Sequence, residues 1–322
     1  MKNNLKIVAL AGGVGGAKLA HGLAQVLPPE DLTVIVNTGD DFEHYGLYIC
    51  PDLDTVCYTL ARIANPETGW GRADESWHAI ENVSKLGGAD WFRLGDKDLG
   101  THLERTRRLK EGYSLSQITK DFCKAWGIEH TIIPMSDKPV RTFVETEEGE
   151  LAFQEYFVHR RCEPRVTGFW FDGVEGAEPA RGAREAIQSA NAVVICPSNP
   201  WVSIDPILKV LSLLPSPPSQ RERGWGKGKR VVAVSPIIGG QTIKGPAAKM
   251  YRELGIEPSA LAVAKHYQDL VTDFVLDQID EQLNESIKGL SMRTYVTNTL
   301  MRSHEDRKRL ANDLLNFIGS DL

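Results

Sequence analysis

The sequence predicts an α/β protein built on a doubly wound, mostly parallel sheet, with a helical insertion and a small antiparallel β insertion. Three observations carry this. The opening KIVALAGGVGGAKLAHGLAQVL joins a β-branched apolar run to a glycine cluster and then to a helical pattern. Short continuous apolar runs recur later in the chain, as parallel strands buried on both faces require. Each ends in a loop rich in Ser, Asn, Pro or Gly before the next helical stretch, which gives a Rossmann-like arrangement.

Taken in order, Leu19, Leu23 and the pair Val26-Leu27 share one helical face behind the glycines, so the chain begins strand, loop, helix. LTVIVN (32–37) supplies the next parallel strand and completes a βαβ unit. LDTVCYTLARI, ESWHAIENVSKL and LGTHLERTRRLKEG have helical periodicity and make residues 55–125 a helical insertion over the strand ends. From about His130 to Phe171 the period drops to two. RTFVETEEGELAFQEYFV reads as a hairpin around Glu147–Gly149, so 130–171 forms a β-rich insertion or edge. NAVVIC (191–196) and RVVAVS (230–235) add strands in the style of the first two. Between them LPSPPSQRERGWGKGK concentrates Pro, Ser, Gly and charge, which suits a flexible surface loop over 214–229. HEDRKRLANDLLNFI (304–318) is an amphipathic closing helix for the sheet or a dimer contact. The chain 1–322 is read as a single domain whose core comes from about 1–54 and 185–322.

Composition narrows the function. With 322 residues, 42% hydrophobic and 25% charged, the chain buries a sizeable core, which excludes disorder and fibre. No apolar run reaches the ~18 residues of a membrane span, and glycines interrupt the N-terminal run where a signal peptide needs apolar length. A cytoplasmic protein is expected. Five scattered cysteines, none at CxxC spacing, argue against a disulfide framework or structural zinc. A net charge of -6 leaves no footprint for a nucleic-acid backbone, so a small-molecule partner is expected.

Chemistry is best placed at the strand ends. Gly12, Gly13, Gly15 and Gly16 lie between strand and helix, where backbone N–H groups can meet an anion; Lys18 would add a point charge. The bland alternative is a tight turn needing positive φ. Neither the dinucleotide fingerprint, broken at Lys18, nor the Walker pattern fits. Asp40 and Asp41 follow the second strand, and Asp52 and Asp54 open the next helix. Four carboxylates so close repel unless solvated, protonated or neutralised, and a hard cation such as Mg²⁺ fits them. One of Asp52 and Asp54 could simply cap its helix, and Asn37 or Asp40 could instead meet a ribose. In WFRLGDKDLGTH a helix is expected to begin near Leu99 with Asp98 as its cap, and Trp91 and Phe92 could be core. The loops CPSNPWVSIDP and SPIIGGQTIKGPAAK bring Ser198, Asn199, Ser235 and Gly239 to the same sheet edge, where open α/β sheets bind ligands. The isolated histidines and the absence of HExxH and GxSxG give hydrolase chemistry little support.

In order, GGVGGAK, VNTGDD, ICPDLDTV, GWGRADESW, WFRLGDKDLGTH, GYSLSQIT, PMSDKPVRT, PSNPWVSI and SPIIGGQTIKGPAAK resemble the 2-phospho-L-lactate transferase family of deazaflavin coenzyme F-420 biosynthesis. The resemblance runs nearly the whole chain and is nearer to the bacterial branch. Lys97 stands where members commonly carry arginine, and a lysine cannot reproduce the planar fork.

The resemblance implies transfer of a phospho-three-carbon-acid unit from a guanosine-diphosphate-linked donor to the ribityl hydroxyl of 7,8-didemethyl-8-hydroxy-5-deazariboflavin, with release of GMP. The bacterial donor is enolpyruvyl-diphospho-guanosine, the archaeal one its lactyl counterpart. It also implies Mg²⁺ and a homodimer. On this reading GGVGG and Lys18 hold the diphosphate, and Asp40, Asp41, Asp52 and Asp54 supply metal ligands or the base, with Asp40 and Asp54 catalytic. Ser198, Asn199 and the loop holding Ser235 and Gly239 take the guanosine; Asp54 and Lys97 touch the deazaflavin. Asp54→Asn is expected to abolish transfer and leave the fold intact. The rivals are a nucleotide-sugar-binding regulator of the same superfamily and a nicotinamide-dependent oxidoreductase.

Overall fold

The computed structural model describes residues 5–211 and 229–320, so nearly all of the expected loop 214–229 lies outside the described residues. In chain order it runs β1 (Ile7–Ala11), α1 (Gly13–Ala24), β2 (Leu32–Val36), β3 (Phe42–His44), β4 (Leu47–Ile49), α2 (Pro51–Leu60), α3 (His78–Lys85), α4 (Asp96–Lys110) and α5 (Leu115–Ala125). There follow β5 (Thr131–Pro134), β6 (Arg141–Thr146), β7 (Gly149–Ala152), β8 (Val166–Asp172), α6 (Ala183–Ser189), β9 (Ala192–Ile195) and α7 (Asp205–Val210). The chain closes with β10 (Arg230–Val234), β11 (Ile237–Ile238), β12 (Gln241–Thr242), α8 (Ala247–Glu253), α9 (Ala260–His266), β13 (Asp273–Asp277), α10 (Asn284–Lys288), β14 (Arg293–Thr297) and α11 (His304–Gly319).

The main sheet is seven-stranded and parallel, in the order β14-β13-β10-β9-β1-β2-β5. Its strands read as unbroken apolar runs because both faces are covered. Val8 and Leu10 of β1 point into one core layer with Ala247, Tyr251 and Val263, while Ile7, Ala9 and Ala11 point into the other with Leu19, Leu23, Leu310 and Leu314. The closing helix α11 therefore packs on α1. The approach is close: a Cβ on Gly22 would lie 2.2 Å from the Arg307 carbonyl oxygen. Ser303 and Asp306 start α11 with a capping box.

Pairing of Leu10 with Ile195 and of Ile195 with Ala233 aligns the C-terminal ends of β1, β9 and β10 at one edge. The winding reverses between β1 and β9, so the glycine loop and the 196–203 loop leave the sheet side by side at the switch point.

Three strands differ from the sequence reading. Residues 131–134, placed there in the antiparallel insertion, pair parallel with β2 and form the edge of the main sheet; the antiparallel sheet β7-β6-β8 starts only at Arg141. A four-residue apolar strand carries no period that tells the two apart. β13 and β14 go unread because polar residues bracket their short apolar stretches, and the buried Asp273 is held by Arg230 at 2.7 Å. Among the described residues no helix is long and apolar enough to cross a membrane.

Candidate functional site

At that sheet edge lies a cavity of about 1000 Å³. Its floor is the glycine loop, one wall is α2 with α4, and the opposite wall is made by the loops after β9, β10 and β14.

The glycines are there mainly so that neighbours can approach. A Cβ on Gly12 would lie 2.6 Å from Asp52 Oδ2, on Gly15 2.2 Å from the Pro197 carbonyl oxygen, and on Gly16 2.6 Å from Ser198 Oγ. Only Gly13, at φ +61, needs the left-handed region. Ser198 clamps the loop: its hydroxyl donates to the Gly12 carbonyl at 2.8 Å and accepts the Gly12 N–H at 3.2 Å. Gly12, Gly13 and Gly15 line the cavity; Gly16 is packed behind it. Lys18 reaches the wall and donates to the Met301 carbonyl at 3.0 Å, its pKa lowered by burial and by Arg307 and Lys244 nearby.

Helix α2 starts at Pro51 with Cys50 as its N-cap, so Asp52 and Asp54 both lie in its first turn and neither is the capping residue. Asp52 accepts from Asn37 Nδ2 at 2.9 Å, and the second Asn37 contact, to the Val202 carbonyl, ties β2 to the loop after β9. Asn37 is thus spent inside the protein. Burial pushes Asp52 up to about 6. Asp40 rises well above the usual carboxylate range through burial and the facing Asp52 charge, and its Oδ1 has no hydrogen-bond partner among the described residues. Two buried carboxylates facing each other beside a floor of backbone N–H groups form a hard-oxygen donor set that a divalent cation would neutralise. Asp41 faces a separate, smaller cavity of about 320 Å³ and does not line the large one. Burial pushes it up to about 7.

Asp54 differs from the other three. The guanidinium of the fully buried Arg105 grips both its oxygens, Nη1 reaching Oδ2 at 3.0 Å and Nη2 bonding Oδ1. Burial pushes Asp54 up against the pull of Arg105. Beside the pair, His102 Nδ1 lies 3.8 Å from Asp54 Oδ2, and His102 Nε2 lies 3.5 Å from Asp98 Oδ1. Asp54, Asp98 and His102 offer ligand atoms within 4.8 Å of one another, a group that could hold a metal. Tyr58 donates to Asp98 at 2.6 Å, and against the opposing cost of burial His102 and that hydroxyl keep Asp98 below the ordinary range.

Helix α4 begins at Asp96, not near Leu99, and Asp98 is not its cap. Glu75 accepts the N–H groups of Lys97 and Asp98 at 2.8 Å each, while Asp96 accepts those of His78 and Ala79 at 3.1 Å, so each segment caps the other's helix. Lys97 is exposed, donates to the Ala73 carbonyl at 3.1 Å and is not among the residues that line the cavity. Asn199 and Ser235 line it with much of their hydrogen bonding committed: Asn199 Oδ1 accepts from the Trp201 N–H at 3.1 Å, and Ser235 donates to the Ile237 carbonyl at 2.8 Å. Gly239 lies off the wall, its N–H donated to Asp280 at 3.0 Å.

Tyr58, His102 and Arg105 were missed by sequence reasoning. The spacing of Asp98, His102 and Arg105 on one face of α4 is the signal that could have found them.

The raised carboxylates have a consequence for stability. Their folded pKa lies above the unfolded value, so the folded state keeps protons that the unfolded chain loses; that stabilisation is complete below about pH 4 and lost as pH rises through about 6 to 7. Chelator-treated protein should therefore lose melting temperature between about pH 5 and 7.5. A melting temperature that climbs steadily over that range would contradict the assignment.

Residues 7–322 match the family described as 2-phospho-L-lactate transferase CofD. The chain is 40% identical over 317 residues to the phosphoenolpyruvate transferase of Streptomyces avermitilis, covering 97% of each. It is 37% identical over 305 residues to the 2-phospho-L-lactate transferase of Methanosarcina barkeri, covering 95% of this chain and 96% of that one. Among solved structures, the BH3568 protein of Bacillus halodurans shares the fold, with a TM-score of 0.62 at 16% identity over 97% of this chain and all of that one.

Proposed function

This chain belongs to the 2-phospho-L-lactate transferase family, and from that premise we propose that it moves a phosphoenolpyruvyl or 2-phospho-L-lactyl group from a guanosine-diphosphate-linked donor to the ribityl hydroxyl of the deazaflavin. GMP is released, and the product is a precursor of coenzyme F-420. The stronger likeness to the Streptomyces protein favours the enolpyruvyl donor. The single observation that carries the reading is the buried Asp40–Asp52 pair facing the glycine loop.

In the reaction the acceptor oxygen bonds to the phosphorus that bears the three-carbon acid, the bond from that phosphorus to the GMP oxygen breaks, and the hydroxyl proton goes to Asp40. A carboxylate with a raised pKa and an unpartnered oxygen suits that base. The glycine loop and Lys18 hold the diphosphate, and Ser198, Asn199 and Ser235 border the guanosine side. Asp54, gripped by Arg105, sets the acceptor wall with Tyr58, Asp98 and His102.

Asp52 and the second oxygen of Asp40 would hold Mg²⁺, two buried carboxylates side by side being the all-oxygen donor set that a hard cation takes. When bound it offsets charge on the diphosphate. Asp41 and Asp54 fit that role less well, the one facing another cavity and the other held by an arginine. The reading also carries a cytoplasmic location and a homodimer.

The test is an anaerobic assay with Mg²⁺, the deazaflavin and each guanosine-linked donor, analysed by mass spectrometry for phosphorylated deazaflavin and GMP. Product with one donor is the expected result and fixes the branch. Nucleotide binding without product from either donor would favour a regulator that binds without turnover.

A further inference from the structure

Trp70 is among the residues that line the cavity and is 51% exposed, and among the described residues neither a ring nor a cation stacks on it. The other aromatic residues of that wall are engaged. Trp91 stacks on His159 with centroids 5.2 Å apart, and Phe153 on Phe157 at 5.4 Å.

The loop that carries Trp70 is built to hold it there. Asn65 closes the loop on both sides, its N–H donating to the Gly71 carbonyl at 3.0 Å and its carbonyl accepting from the Gly69 N–H at 2.9 Å. The Thr68 hydroxyl donates to the Trp70 carbonyl at 2.6 Å. Gly69 and Gly71 flank the tryptophan at φ +78 and +68, conformations that turn the backbone sharply on either side of one side chain. Below, a Cβ on Gly69 would come within 2.8 Å of Val14 in the glycine loop; from across the cavity Lys244 donates to the carbonyls of Glu67 and Thr68, at 3.1 and 2.5 Å.

A large apolar ring left half in water gives up much of its burial energy, and a braced loop denies it the freedom to collapse. The arrangement makes sense when a ligand supplies the missing face. We propose that Trp70 is the stacking platform for a flat heteroaromatic ring bound in the cavity and sets selectivity for that ring. The candidate rings, guanine from the donor and deazaflavin from the acceptor, rest on the transferase reading; the platform itself does not.

The test measures binding of GMP and of the deazaflavin separately, by titration calorimetry, to the parent and to Trp70→Phe, Trp70→Leu and Trp70→Ala, with melting temperatures alongside. One of the two ligands should weaken about tenfold or more in the Leu and Ala variants and recover to within about threefold in Phe, since base–aromatic stacking is worth that much. The ligand that weakens identifies the ring. Losses of no more than about twofold for both ligands would overturn the platform. Leu restoring affinity as well as Phe would overturn it too, because apolar packing would then suffice. If Ala fails to fold, the comparison of Leu with Phe decides alone. Weakened GMP binding in Leu and Ala together with no transfer by the parent protein from any donor would sink the transferase reading and leave the platform standing; normal transfer by the parent with affinities unchanged in the variants would do the reverse.

Discussion

Asp40→Asn should lower transfer by about 10²–10⁴-fold while leaving the melting temperature at or above that of the parent. The two effects separate because of where Asp40 lies. Its carboxyl is buried, faces Asp52 and is pushed well above the usual carboxylate range by burial and by the Asp52 charge. Asparagine keeps the shape, carries no charge and relieves the repulsion with Asp52, so folding loses little. The variant can neither take a proton from the acceptor nor give an anionic oxygen to a cation. Parallel losses of activity and stability would show that Asp40 supports the fold, and turnover near that of the parent would remove it from the mechanism.

Asp54→Asn should behave in the opposite way, losing about 3–5 kcal/mol of stability as well as activity. The sequence alone suggests an intact fold for this variant. The structure argues for the other outcome, because a neutral amide in place of Asp54 would leave the Arg105 guanidinium, itself fully buried, without its counter-charge. Asp54→Leu combined with Arg105→Met should recover most of the stability, since an apolar pair of similar volume removes both desolvated charges. It should not recover transfer. Thermal melts of the single and double variants read the first effect and the product assay the second. A double variant as unstable as Asp54→Asn would mean that the pair does more than balance charge. Recovered transfer would show that the carboxylate plays no chemical part.

The parallel core was legible because strands buried on both faces must be continuously apolar, and IVALA, LTVIV, AVVI and RVVAV meet that condition in full or nearly so. β13 and β14 escaped because Asp273, Asp277 and Arg293 interrupt the pattern; the buried Asp273 is paired with Arg230 and Arg293 from the strands on either side, and the buried Asp277 accepts the Ile279 and Thr299 N–H groups. The glycine loop was legible as the turn from β1 into α1, but the reason for its glycines was not. Three of its four glycines are required by Asp52, Pro197 and Ser198, residues from other parts of the chain.

Fold class and family are readable from the chain alone, because burial periodicity and motif order are properties of the linear sequence. What surrounds each aspartate is set by how distant segments pack. Asp40 and Asp52 face one another, Asp41 turns to a second cavity, Asp54 is locked to an arginine 51 residues further along, and Lys97 lies outside the wall. Charge, burial and partners act through distance in space, and spacing along a chain does not record that distance once helices from separate segments pack together.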